Sequence, residues 1–259
     1  MRSLIFTLLL FSVQLGYSQF FSQFSKLTGT WYSIDQDRFS FVGIGSSVFD
    51  NKENLGCTFD RAIQNKNLLN LYIPENLVVP TKYVFRIKAI NDSFFILQPI
   101  SKSALKLFDN RYEVKFYREG IILDNDLIFE KLVYHSTPSG THFSDGFSLQ
   151  IENNRSVRFQ RHSYDSLKSG NFEGILTDSG YTALITLLRK ICPKKLRWPE
   201  TTYYGQDEKD LILYFNGQRK EFKTVGDPPY IVSDLIMFFE FIETHVRATK
   251  TSKILSFDN

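Results

Sequence analysis

Cysteine is scarce in this chain. Only Cys57 and Cys192 occur in 259 residues, too few for the disulfide frameworks that hold small secreted domains together. They either pair with each other or stay buried and reduced. Closing so long a loop would stabilise the fold by roughly 4–5 kcal/mol in the chain-entropy account. No Cys-x-x-Cys occurs and the four histidines are scattered, so the spacing of a structural metal site is missing and no cofactor is implied. An excess of one charge is also missing, with 31 basic against 28 acidic residues. Nucleic-acid binders concentrate positive charge on one surface. The one dense basic run, Arg189, Lys190, Lys194, Lys195 and Arg197, reads as the solvated end of a helix, where cations meet the negative end of the dipole. No nucleic-acid partner is expected. Phosphate-binding loops are lacking too, because Gly43-Ile44-Gly45 has no third glycine and no following helix. Gly-x-Ser-x-Gly, the strand-to-helix elbow of many hydrolases, does not occur.

Long apolar runs are confined to the N-terminus. Arg2 precedes Leu4 to Val13, broken only by Thr7 and Ser12, and Gly16 and Ser18 supply small residues at the two positions a signal peptidase must fit. The pattern predicts a signal peptide over residues 1–18, a mature chain beginning at Gln19, and work outside the cytoplasm, periplasmic or secreted. A spanning helix needs about 20 apolar residues, and this run is shorter. Phe238 to Ile242 comes next, but Asp234, Glu240 and Glu243 interrupt it, so no membrane insertion is expected once the signal is removed. Loss of Arg2 lowers the net charge from +3 to about +2.

What is abundant is core material: 42% of residues are hydrophobic, among them 25 Phe and 13 Tyr. That excludes a disordered chain and suffices for one large domain or two modest ones. Two textures follow one another, and the expected class is α+β. Residues 19–125 read as an all-β barrel or sandwich. Thr28–Ser33, Arg38–Gly43 and Lys82–Ile90 have strand composition. Tyr83, Phe85 and Ile87 alternate with Val84, Arg86 and Lys88. Asn91-Asp92-Ser93 turns into a strand at Phe94–Pro99, and Tyr112–Tyr117 pairs with Ile121–Leu123. A helical period shows only near Thr58–Gln64.

Residues 126–247 read as an antiparallel sheet with two helices. Strands are expected at Leu127–Tyr134, Phe147–Glu152, Ser156–Arg161 and Asn171–Leu176. Asp178 or Ser179 caps a helix whose Tyr181, Leu184, Ile185, Leu188 and Ile191 form one apolar face. Leu211–Phe215 and Arg219–Val225 flank Asn216-Gly217, the pair best suited to a two-residue hairpin. A last helix runs from Pro229 to Val246, and residues 248–259 form a polar, flexible tail.

The second half resembles a bacterial domain-of-unknown-function family of exported proteins. The resemblance rests on Leu132-Val133-Tyr134, Phe147 to Ile151 with Val157-Arg158-Phe159, Gly170-Asn171-Phe172, Tyr203 to Asp210, Asn216-Gly217 with Lys223-Thr224-Val225, and Pro228. Members often carry a Cys-x-Gly-x-Cys-Pro-like segment in the first loop, and Ser136 to Asp145 has no cysteine. Through Gly29-Thr30-Trp31 the first half is similar to lipocalin-like domains. That similarity implies a barrel whose end the tryptophan closes, with the glycine letting the chain pass tightly beneath it.

Candidate chemistry is sparse. His135, His142 and Asp145 lie close together in a polar loop but read as solvated side chains, and His162 and His245 are isolated. Asp124 and Asp126 fall in a turn, where aspartate is favoured for backbone reasons. Tyr203-Tyr204 could stack on a sugar or peptide. Three functions stay open: a non-catalytic binding or interaction protein taking a small apolar ligand or an envelope protein, an extracytoplasmic hydrolase, and an accessory subunit of an envelope assembly. Binding is the expected function, met by the β-half or the cleft between halves. Two or more acid, base or nucleophile groups at hydrogen-bond distance would favour the enzyme.

Overall fold

Period-two burial organises the first half of the chain. In β7 (Lys82–Ile90), Tyr83, Phe85 and Ile87 are buried while Lys82, Arg86 and Lys88 are exposed. The computed structural model describes residues 26–34, 38–42, 46–50, 57–59, 61–65, 67–72, 82–137, 146–162, 169–196, 207–226, 228 and 230–258. The expected signal peptide, its cleavage point and Gly43-Ile44-Gly45 lie outside them. The chain divides into two units at Ile121/Ile122, near the break expected at Asn125.

In the first unit, β1 (Gly29–Ser33), β2 (Arg38–Val42), β3 (Ser46–Asp50), β4 (Cys57–Phe59), β5 (Arg61–Asn65), β6 (Leu68–Tyr72), β7, β8 (Phe94–Pro99) and β9 (Val114–Arg118) make one sheet in the order β4-β3-β2-β1-β9-β8-β7-β6-β5. All its pairings are antiparallel. First and last strands meet through Trp31↔Arg118 and Tyr32↔Tyr117, so the meander curls into a half-barrel. The Thr58–Gln64 segment is not helical but supplies β4 and β5. The hairpin expected at Ile121–Leu123 does not form, because β9 pairs with β1 and β8 and Glu119 N–H donates to Thr30 O at 2.9 Å.

A helix that periodicity passed over, α1 (Lys102–Leu107), starts where Ser101 Oγ accepts from Ala104 N–H at 3.2 Å. It turns Ala104, Leu107 and the following Phe108 inward. Trp31, Phe39, Phe41, Phe85, Phe95, Phe108 and Phe116 are each at most 1% exposed. The Phe39 ring centre lies 5.2–6.4 Å from those of Phe41, Phe85, Phe95, Phe108 and Phe116, the separation at which aromatic pairs attract. These rings pack together as the core of the first unit.

The second unit holds β10 (Phe129–Thr137), β11 (Gly146–Glu152), β12 (Ser156–His162), β13 (Gly170–Leu176), α2 (Asp178–Ile191), β14 (Glu208–Phe215), β15 (Gln218–Val225), α3 (Ser233–Glu240) and β16 (Val246–Thr251). Its strands form an antiparallel sheet in the order β15-β14-β10-β11-β12-β13-β16. Asn216 and Gly217, both at positive φ, turn β14 into β15. The cap of α2 is Thr177, one residue before the expected Asp178 or Ser179; its Oγ1 accepts from Gly180 N–H at 3.0 Å. One sheet face carries Leu132, Tyr134, Leu149, Ile151, Val157, Phe159, Leu211 and Leu213 into a core with Leu184, Leu188 and Ile191 of α2 and Leu235, Phe238 and Phe239 of α3. Burying each such side chain is worth about 1.5–3 kcal/mol. Among the described residues no helix is long and apolar enough to cross a membrane.

Two expectations for the C-terminus need correction. The last helix does not run unbroken from Pro229 to Val246: 3-10 turns at Tyr230–Val232 and Ile242–Thr244 flank the eight residues of α3. The chain tightens after Phe241 because it must reverse into β16, and His245 O is held by Thr177 N–H and Oγ1 at 3.0 and 3.1 Å. The supposedly frayed tail begins as that strand, paired with β13 from Asn171↔Thr251 to Leu176↔Val246. Gly174 permits the approach, since a Cβ there would stand 2.7 Å from Ala248 Cα. Polar composition misleads here because ladder hydrogen bonds come from the backbone, whatever the side chains.

Candidate functional site

Strand alternation sends every second residue of β10 to the sheet face away from the helices. Lys131, Val133 and His135 stand there, and register lines them up with neighbours on adjacent strands. One polar row crosses six strands: Lys223, Asp210, His135, Ser148, Gln160 and Asn171. The next row, two residues along each strand, is Glu221, Ile212, Val133, Gln150, Arg158 and Glu173.

Within the first row His135 Nδ1 and Ser148 Oγ share a hydrogen bond of 2.9 Å. His135 Nε2 and Asp210 Oδ1 are buried without a hydrogen-bond partner. Burial pushes the His135 imidazole below its ordinary value, while the charge of Asp210 pulls it back up. Burial raises the Asp210 carboxyl, opposed by Lys223 at 3.7 Å. The face therefore holds a nucleophile-type hydroxyl, an imidazole and a carboxyl side by side.

In the second row a cleft of about 210 Å³ is lined by Gln150, Glu152, Ser156, Arg158 and Glu173. Arg158 Nε is buried and unpaired. Residues 253–258 lie beside it. Asp258 accepts from Lys131 Nζ at 2.7 Å and stands 3.8 Å from Arg158 Nη2, while its N–H donates to Gln150 Oε1 at 3.2 Å. The Lys131 bond holds the Asp258 carboxyl below the usual carboxylate range. The Phe257 ring meets His135 edge-on at 5.8 Å. Lys253 Nζ pairs with Glu173 at 3.1 Å, and Lys253 O accepts from Asn171 Nδ2 at 2.6 Å.

The residues singled out from sequence fall mostly elsewhere. His142 and Asp145 lie outside the described residues, as do Tyr203, Tyr204 and Arg197; of that loop cluster His135 is placed, on β10. No group of three or more metal-ligating side chains occurs among the described residues. His162 is exposed, and His245 stacks on Phe238 at 4.4 Å. In the basic run, Lys190 pairs with Asp234 and Lys194 with Asp124, each at 3.5 Å. Asp124 also accepts from Asp126 N–H at 3.2 Å, a turn contact. Cys192 ends α2 in the left-handed region with a buried, free thiol that burial raises above its ordinary pKa. Cys57 lies in β4, and its side chain is outside the described residues.

In the first unit Trp31 is fully buried and its Nε1–H donates to Leu27 O at 2.8 Å. Arg118 lies 4.4 Å above the indole and donates to Lys26 O at 3.0 Å and Thr28 O at 3.4 Å. Gly29, at φ +120°, bends the chain into β1 as no other residue readily would. No family model matches this chain, and neither does any curated protein or solved structure.

Sequence reasoning missed Ser148, Gln150, Arg158, Asp210 and the tail as a group. A weak signal was present: Lys131, Val133 and His135 alternate with Leu132 and Tyr134. It marked a two-faced strand but not which partners would join it.

Proposed function

We propose that this is an exported, non-catalytic binding protein, and that its recognition surface is the polar face of the second sheet. The observation carrying the reading is the cleft beside Arg158, with charges of both signs around it and a carboxylate already accepting from Lys131 Nζ at 2.7 Å and Gln150 Nε2 at 3.5 Å. Export is supported by Arg2, the run Leu4–Val13 and the Gly16/Ser18 pair. A lipocalin-like kinship of the first unit is supported by Gly29 and by Trp31 clamped beneath Arg118. Filled with phenylalanine, that unit acts as scaffold rather than container. An α+β layout for the second unit is supported by α2 and α3 lying on one sheet face. Small-molecule pockets run to about 300–1,000 Å³, so a cleft of about 210 Å³ suits one side chain of a larger partner.

The test is photo-crosslinking in envelope extracts. A photoreactive residue at Gln160, on the polar face, should capture a discrete partner, while one at exposed Thr186 on α2 should not. Equal capture from both positions, or from neither, would overturn the surface assignment. N-terminal sequencing of exported material should begin at Gln19.

A second reading, the hydrolase, is favoured by the Ser148–His135 bond beside Asp210. Against it, Ser148 sits in a strand paired on both sides, so its neighbouring backbone N–H groups serve the ladder and leave no pair to stabilise an oxyanion. A fluorophosphonate probe that labels wild type but not Ser148→Ala would establish the enzyme.

A further inference from the structure

Resting on the surface reading above, we infer that this face is a docking site for an extended peptide segment, whose basic residue is followed four and five positions later by an aromatic residue and an acid. The chain's own Lys253, Phe257 and Asp258 occupy it as a resident ligand, in place of a matching segment from a partner protein.

The geometry carries the assignment. Lys253 is held over β13 by Glu173 and Asn171. Asp258 is held over β11 and β10 by Gln150 and Lys131, with Arg158 of β12 between. The backbone anchors, Lys253 O on Asn171 of β13 and Asp258 N on Gln150 of β11, lie two strand spacings apart, about 10 Å at 4.8 Å each. Five residues extend at most about 17–18 Å. The segment therefore reaches across the strands with length to spare, its Lys253 and Asp258 side chains extending to Glu173 and Lys131.

Its contacts are those a peptide in trans would make. A charge-assisted bond takes the acid, an imidazole edge takes the aromatic ring, a carboxylate takes the base, and side-chain amides meet the backbone at Lys253 O and Asp258 N. Charge-assisted contacts of this kind are the stronger class of hydrogen bond. The resident chain leaves capacity unspent: Arg158 Nε stays unpaired and the cleft beside it stays open. Ile254 is 96% exposed and Leu255 partly buried, so the polar contacts that confer specificity lie at the two ends of the segment.

The test removes residues 252–259 and leaves β16 intact, with a thermal melt to verify folding. The isotope-labelled, shortened protein is titrated to millimolar concentration with the amidated peptide Ser-Lys-Ile-Leu-Ser-Phe-Asp-Asn. Saturable shifts at His135 and Gln150 are expected, reduced at least tenfold in affinity by Asp258→Asn in the peptide or Arg158→Gln in the protein. In the full-length chain, Asp258→Asn should move the His135 signals toward those of the shortened protein. A folded, shortened chain without shifts, or binding indifferent to both substitutions, overturns the assignment. If that chain still captures a partner from position 160, the surface reading survives while the peptide assignment falls; loss of both removes both.

Discussion

Both units are antiparallel sheets built from alternating strands, yet they use their two faces differently. The first curls until its inner face is consumed by rings, with Phe39 in contact distance of five other phenylalanines. The second places its apolar face under α2 and α3 and keeps a polar face with a cleft. A sheet that closes on itself spends its inner surface on stability. A sheet packed on one side by helices keeps polar side chains on the other, here around the buried Val133, Gln150 and Ile212. The aromatic wealth of the first half goes largely into its core.

Substitutions can break this contrast. The largest effect is expected from Leu188→Glu, which puts an unpaired charge into the helix-covered core where Leu188 is 1% exposed. It should cost about 3–5 kcal/mol or more by urea denaturation, and a cost below about 1 kcal/mol would mean that face is not sealed. Phe39→Ala, at the centre of the ring cluster, should cost about 3–5 kcal/mol through the cavity it leaves. A small loss there would show the half-barrel collapsing readily, as a roomy interior does.

Next comes Arg118→Ala. It removes the cation over Trp31 and two bonds to Lys26 and Thr28 carbonyls, worth together about 2 kcal/mol. Lysine should restore little, because only the planar guanidinium both stacks and bonds.

The smallest effect probes the polar face. In an NMR titration His135 should show a midpoint below its ordinary value of about 6.5. Asp210→Asn should lower it further, since that charge opposes the effect of burial. Phe257→Ala should raise it by readmitting water to the ring edge. The sign for stability follows: a depressed folded pKa means that unfolded His135 binds the proton first. Its contribution is therefore present above about pH 6.5 and is lost as pH falls through the folded value. An unchanged midpoint in Phe257→Ala would show that the tail does not cover His135.

Much of the strand layout was legible. The strands expected at Phe147–Glu152 and Ser156–Arg161 pair with each other, and Asn216-Gly217 marked a hairpin that formed, because turn residues act locally. The apolar stripe Leu184, Leu188, Ile191 marked α2 for the same reason. Less legible were α1, too short for a period to show, and β4 with β5, where a few residues fit both patterns. The final helix was over-extended because Val246 continues its stripe, although it is in fact the first residue of β16.

By itself, then, the sequence determined the order of most elements and, in β7, which side of the strand is apolar. These follow from interactions between residues a few positions apart. Tertiary structure alone decided that β1 closes on β9, that Arg118 covers Trp31, and that Lys131, His135, Ser148, Arg158, Asp210 and Asp258 share one face. Such groupings depend on which strands become neighbours. That choice is made by burying the whole apolar surface at once, and Lys131 and Asp258, 127 positions apart, leave no trace of it in any local pattern.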